Sequence, residues 1–291
     1  MNAGSACLGR PTVDGHRNGW NWLFGCSLHA LAVLFKSIFG RADHDGVMTR
    51  MWLVVGAIVL SGCGVIGGSS DVVGYPEVNL GADSVEVYKT TEERDLHMHI
   101  FEPEETSSAT VRPGAVVFFH GGGFRSTRVE QFRGQAQSLA AEGIVGIVAE
   151  YRVTAEGTTR ADAVADGQDV VAALRADAAQ FRIDPDRVAV AGASAGAALA
   201  VEASEQSSAL VLFNPAVDAS SAPFVDGQPA IAFHSREDTI VAFSSAERFC
   251  DAVTGCELVA FDEGDHGFFN NEPALTETTN AMIEFLQDNG W

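Results

Sequence analysis

From Ser84 to Trp291 two kinds of segment alternate along the chain, and this alternation limits the possible folds more than any other feature of the sequence. Six runs are almost continuously apolar: Ala115 to Phe119, Ile144 to Ala149, Val188 to Ala191, Ala209 to Phe213, Ala230 to Phe233 and Glu257 to Phe261. A strand covered on both faces has no polar side to show, so such runs read as the buried strands of a parallel sheet. Between them, Val129 to Glu142, Arg160 to Gln180, Ala195 to Ser204, Phe243 to Ala252 and Glu272 to Asp288 repeat Leu, Val, Ala and Phe at helical intervals. Ahead of the series, Ser84 to Lys89 and Asp95 to Phe101 alternate apolar and polar residues around Thr90-Thr91-Glu92-Glu93, the pattern of an opening antiparallel pair. The pattern predicts an α/β chain with a mostly parallel, doubly wound sheet of about eight strands flanked by helices. Its chemistry is expected in the loops at the carboxyl ends of the strands. Residues 84–291 show no repeat and no second core, so they form one domain. The irregular stretch Asn214 to Gln228, with Pro215, Pro223 and Gly227, is a loop with a short helical turn at most and leaves no room for a large cap domain.

Three of these loops carry residues suited to one reaction. Gly192-Ala193-Ser194-Ala195-Gly196 lies between a strand and an Ala-rich helix, the setting of a sharp strand-to-helix turn that presents a serine nucleophile. His120-Gly121-Gly122-Gly123-Phe124 follows the strand Ala115 to Phe119, and its glycines leave the backbone bare. The N–H groups of Gly121 and Gly122, with that of Ala195, are the candidate oxyanion hole, while His120 is expected to orient the loop by hydrogen bonding. Gly264-Asp265-His266-Gly267 follows the last strand and makes His266 the candidate base. The acid is sought in His234-Ser235-Arg236-Glu237-Asp238, where Asp238 is preferred, Glu237 is its rival, and Asp226 and Asp218 are weaker candidates. The order Ser194, Asp238, His266 suits this topology.

Charge and cysteine usage exclude other classes. The formal net charge is -21, from 39 acidic against 18 basic residues, and a sequence-independent hold on nucleic acid needs the opposite surplus. The five cysteines are too scattered for a disulfide framework or a four-ligand zinc site. His97 and His99 alternate on one strand and could ligate a metal, but no third ligand presents itself, so no metal and no cofactor are expected.

The N-terminal part reads as processing sequence. Met51 to Leu60 is a ten-residue apolar run after Arg50, too short to span a bilayer, and Ser61-Gly62-Cys63 supplies small residues before a break. Leu60-Ser61-Gly62-Cys63 resembles the lipobox of bacterial lipoproteins, which implies acylation of Cys63 and anchorage to a membrane of the cell envelope. The expected organisation is a non-native extension over residues 1–47 with the start at Met48, a signal peptide over 48–62, a Gly-, Ser- and Asp-rich tether over 63–83 and the catalytic domain over 84–291. The alternative for Trp20 to Phe39, apolar in bulk, is a membrane-associated helix. Export would also favour a disulfide between Cys250 and Cys256, which sit at a helix end and the start of the following strand.

Together the elbow, the HGGGF loop, Glu150-Tyr151-Arg152, Asp184-Pro185-Asp186-Arg187-Val188 and His266-Gly267-Phe268-Phe269-Asn270 resemble the α/β-hydrolase superfamily. Within it they are most similar to hormone-sensitive-lipase-like esterases and bacterial carbohydrate esterases of the acetylxylan and feruloyl type. The resemblance covers Ser84 to Trp291 and implies an α/β-hydrolase fold with a Ser-Asp-His triad. It further implies hydrolysis of carboxylic esters through an acyl-enzyme, the substrate being a small ester or an acylated polysaccharide. Serine peptidases of the same fold and a noncatalytic binding module are the alternatives. Two departures stand out: Ala197 where a further Gly is common, and the shortness of the Asn214 to Pro229 segment, which argues against interfacial activation.

Overall fold

The computed structural model describes residues 78–104, 112–225 and 227–291, all within the compact unit Gly68–Trp291. The expected start at Met48, the export signal, Cys63, most of the tether, the Trp20 to Phe39 segment and Asp226 lie outside the described residues.

Eight strands form one sheet: β1 (Ser84–Thr90), β2 (Asp95–Phe101), β3 (Ala115–Phe119), β4 (Val145–Ala149), β5 (Val188–Ala193), β6 (Ala209–Phe213), β7 (Ala230–Ser235) and β8 (Cys256–Phe261). Their spatial order is β1-β2-β4-β3-β5-β6-β7-β8. β1 pairs antiparallel with β2 and β2 antiparallel with β4, and every later pairing is parallel. The five described α-helices are α1 (Arg133–Ala141), α2 (Arg160–Ala176), α3 (Ala195–Glu202), α4 (Phe243–Ala252) and α5 (Ala274–Asp288).

The apolar runs are continuous because each of these strands feeds two cores. Val117 and Phe119 of β3 join the layer that contains Leu199 of α3 and Phe249 of α4, whereas Val116 and Phe118 join the layer that contains Leu139 of α1 and Met282 of α5. Alternate side chains point to opposite faces, so both members of each pair must be apolar. β8 departs from the expectation of burial on both faces. It is an edge strand, and none of its residues is fully buried: Cys256, Leu258, Val259 and Phe261 are half-buried and Glu257 and Ala260 are exposed.

Helix ends differ from the sequence reading most in two places. The segment read as a helix from Val129 opens as a 3-10 turn, Val129–Phe132, before α1 begins. α2 ends at Ala176 instead of running to Gln180, and the chain then turns through Arg182 at φ 55°. The start of α2 is fixed by Thr159, whose hydroxyl accepts from the Asp162 amide while the Asp162 carboxylate accepts from the Thr159 amide at 2.8 Å. Between Asn214 and Gln228 the described residues hold only a 3-10 turn, Ala219–Phe224, and no cap domain.

The order β4-β3-β5 reverses the direction of winding at β3. The loops after β3 and β5 therefore leave neighbouring strands on the same side of the sheet, the position where a doubly wound sheet opens a crevice.

Candidate active site

Ser194 occupies that crevice. It sits between β5 and α3 at φ 53° and ψ -117°, a backbone region that a residue with a side chain rarely visits. Such a turn demands glycines beside it. A Cβ at Gly192 would overlap the carbonyl of Gly196, and one at Gly196 would overlap the carbonyls of Phe119 and His120. The Ser194 amide donates to Phe213 O at 3.1 Å, which ties the elbow to β6.

The Ser194 hydroxyl lies 2.9 Å from His266 Nε2, and His266 Nδ1 lies 2.7 Å from Asp238 Oδ2. An ionised carboxylate only accepts, so Nδ1 carries the proton and Nε2 is left to accept from the serine. Asp238 Oδ1 accepts from the amides of Ile240 at 2.8 Å and Val241 at 3.0 Å. Burial alone would raise this carboxyl's pKa, but the hydrogen bonds from His266, Val241 and Ile240 outweigh it and hold the pKa below the usual Asp value. Glu237 and Asp218 are exposed, and Asp218 caps the 3-10 turn by accepting from the Ser220 amide, whereas the carboxylate bonded to the imidazole is that of Asp238.

The glycine loop corrects one assignment. The Gly121 amide already donates to Gln131 Oε1 at 2.7 Å and is not free to meet an oxyanion. Gly122 and Gly123, at φ 125° and 64°, have amides with no acceptor among the described residues. The Ala195 amide is the first of α3 and has no acceptor within the helix. The candidate donors are thus Gly122, Gly123 and Ala195, with Gly121 serving as the pinned end of the loop.

His120 is fully buried. Its Nδ1 lies 2.5 Å from Gly121 O, its ring stacks on Tyr151 with centroids 4.4 Å apart, and the Tyr151 hydroxyl donates to His120 O at 2.8 Å. Burial pushes its pKa down to about 4, so it is neutral and holds the loop. Tyr151 belongs to the Glu150-Tyr151-Arg152 segment after β4. There Arg94 pairs with Glu150 at 2.5 Å, and Arg152 and Lys89 pair with the fully buried Asp166 at 2.8 and 2.7 Å. His97 and His99 both face Glu150, at 3.3 and 3.4 Å. No metal-binding group of three or more His, Cys, Asp or Glu occurs among the described residues. Cys250 and Cys256 are joined by a disulfide with an S–S distance of 2.06 Å.

Sequence reasoning did not single out Gln131, or Asn214 at the end of β6. Asn214 is buried at φ 36°, and its Nδ2 lies 2.9 Å from His266 Nδ1 and 3.0 Å from Nε2, so the amide lies against the imidazole. The one available signal was the position of Asn214 directly after a buried strand in the crevice. Gln131 gave none, being a common residue in an apparently helical run.

Comparison with known proteins agrees with this architecture. A family described as alpha/beta hydrolase fold matches residues 116–260. Among solved structures, a propionate-bound thermophilic esterase from Thermogutta terrifontis superposes with a TM-score of 0.68 at 30% identity, over 74% of this chain and 96% of that one. The same organism's esterase 2, phosphonylated by cyclosarin, gives 0.68 at 32% identity over 75% and 97%. Among curated proteins, the neuroligin-like protein glit-1 of Caenorhabditis elegans is 30% identical over 110 residues, 35% of this chain, and the match spans only 15% of that protein's length. With the winding of the sheet, the strained serine turn and similarity to those esterases over nearly their whole length, the chain belongs to the α/β-hydrolase fold family.

Proposed function

We propose that the protein is a serine hydrolase that cleaves carboxylic esters through an acyl-enzyme. The observation that carries this reading is the continuous hydrogen-bonded line from Ser194 Oγ through His266 to Asp238. Ser194 attacks the ester carbonyl while its proton passes to His266 Nε2, and Asp238 holds the imidazole and balances the imidazolium. The negative oxygen of the tetrahedral intermediate is met by the amides of Gly122, Gly123 and Ala195 at the N-terminus of α3. Collapse of the intermediate expels the alcohol, which takes the proton from Nε2. Water then repeats the sequence on the acyl-serine and releases the acid.

Short acyl groups are the favoured substrates. The solved relatives include forms bound to propionate and butyrate, and the described residues provide no cap to enclose a long chain. Carbohydrate-linked esters are the favoured natural source. This follows from the resemblance and from the export signal read over residues 48–62, ahead of Cys63, where we propose that the chain is lipid-anchored to the cell envelope. Relatives phosphorylated by paraoxon and phosphonylated by sarin point to the simplest test. One equivalent of paraoxon should block hydrolysis of p-nitrophenyl butyrate and add one diethyl phosphate to the peptide containing Ser194. Ser194→Ala should neither turn over the ester nor take the label; turnover retained in that variant overturns the reading. A panel of acetylated sugars, feruloyl esters and peptides then ranks the substrates, and labelling with a radioactive fatty acid tests Cys63.

A further inference from the structure

Asp238 is held by more than the imidazole of His266. Its Oδ2, which accepts from His266 Nδ1 at 2.7 Å, also lies 3.2 Å from Nε2 of a second histidine, His234, near the end of β7. The His234 and Asp238 side chains are both wholly buried. His234 Nε2 is in addition 3.0 Å from the carbonyl oxygen of Val241. Two acceptors, a carboxylate oxygen and a peptide oxygen, thus converge on one nitrogen. Neither has a proton to give, so Nε2 must carry it. Nδ1 is then a bare acceptor, and it is buried without a partner. An orphaned buried acceptor costs free energy that an apolar side chain in the same place would not. The fold bears that cost at a position whose other nitrogen touches the carboxylate next to His266.

Val241 closes the arrangement. Its amide donates to Asp238 Oδ1 while its carbonyl accepts from His234, so His234, Asp238 and Val241 form a closed ring of polar contacts around the loop after β7. We propose that His234 is a positioning residue for ester hydrolysis: its Nε2–H, shared between Val241 O and Asp238 Oδ2, locks the carboxylate in the orientation that receives His266. This rests on the reading of Ser194, Asp238 and His266 as the catalytic groups. Burial lowers the His234 pKa below the ordinary imidazole value, with the Val241 and Asp238 contacts opposing, so the neutral Nε2–H form is present at neutral pH. The other charged and titratable groups of this corner are His266, Arg236, Glu237, Asp262 and Asp265. Arg236 lies over Phe243 at 4.5 Å and pairs with Asp262 at 3.3 Å, Glu237 is exposed, and Asp265 accepts from the Gly267 amide at 2.8 Å.

The test compares His234→Gln, His234→Asn and His234→Leu by kcat, KM and the pH profile of kcat/KM on p-nitrophenyl butyrate. A glutamine amide reaches the place of Nε2, and an asparagine amide does not. In the Leu and Asn variants kcat should fall roughly 10- to 100-fold with KM nearly unchanged, the rate equivalent of losing one hydrogen bond to a charged group. The acid limb of kcat/KM should also shift in both variants, because the carboxylate that faces the His266 imidazole is no longer held. Gln should return the limb to its native position and the rate to within about threefold. Native kinetics in the Leu variant, or three variants equally slowed with the acid limb unmoved, would overturn the proposal. If the Leu variant does not fold, the Gln and Asn pair decides: equal rates and equal limbs overturn it. Ser194→Ala, measured alongside, separates the two levels. Turnover that survives in Ser194→Ala defeats the catalytic reading and the proposal together. Turnover that is lost there but is insensitive to the His234 series defeats the proposal alone.

Discussion

The proton on His266 Nδ1 decides what Asp238 does. A carboxylate keeps it there, whereas an amide in its place can donate to Nδ1 and favour the unproductive tautomer. Asp238→Asn should therefore lower kcat by about 10³- to 10⁴-fold, while Glu237→Gln, at an exposed neighbour, should leave it within about twofold of native. Steady-state rates on one p-nitrophenyl ester check both, and the opposite ranking would move the acid by one residue. Gln131 acts one bond further out. Its carbonyl occupies the Gly121 amide and pins the loop that presents Gly122 and Gly123. Gln131→Leu should cost on the order of 10-fold in kcat with little change in KM; an unchanged kcat would show that the pin does not shape the oxyanion site. Ser194, His266 and the glycine loop, though not which of its amides is free, were legible in the sequence because each lies in a short stretch whose composition has a local physical reason. Gln131, Asn214 and His234 were not, since each is a common residue type whose role lies in a contact with a separate loop or ring. Even His234, four residues before Asp238, reads as an ordinary core histidine until the return of the chain at Val241 is seen.

At the scale of elements, the elbow is a packing problem before it is a catalytic one. α3 can start so close to β3 because Gly196 lets its first turn lie against the carbonyls of Phe119 and His120. These are backbone atoms at the end of a central strand and cannot move aside. Gly196→Val should thus destabilise the protein by about 3 kcal/mol or more and abolish esterase activity. Urea denaturation and a rate assay on the soluble fraction test it, and a native-like variant would mean that the helix can slide. Strand positions followed from apolar runs nearly residue for residue, because burial on two faces leaves a plain mark. Helix ends were less legible. The opening 3-10 turn and the early end of α2 depend on neighbours, not on a change in residue type, and the partial exposure of β8 follows from its place at the sheet edge.

Across the whole molecule, acid should act in two stages. His120 is buried neutral with a pKa of about 4 against an ordinary value of 6.5. An unfolded chain takes up that proton below about pH 6.5 and the native one does not until about pH 4, so stability is lost as pH is lowered across this window, by about 3 kcal/mol. Below it, Asp238 and Glu150 matter. Burial would raise both, but their hydrogen bonds and the nearby Arg94 and His266 hold them low, so the stability they contribute is present above the ordinary carboxylate pKa and is lost as pH falls through their depressed values. Urea unfolding from pH 7 to 4 should show the first stage, and His120→Gln should flatten it; an equal slope in that variant would place the loss elsewhere.

The sequence by itself determined the class of sheet, the places where strands give way to loops, and the residues proposed as nucleophile and base. These depend on local composition: apolar runs that cannot face water, glycines that permit a tight turn, and a histidine after the last strand. Tertiary structure alone decided which amides remain free around Ser194, that Gly121 is claimed by Gln131, and that Asp238 is shared between two histidines. The reason is physical. A hydrogen bond is selected by distances of tenths of an ångström between groups that the chain brings together only when β3, β5, β7 and β8 have taken their places in one sheet.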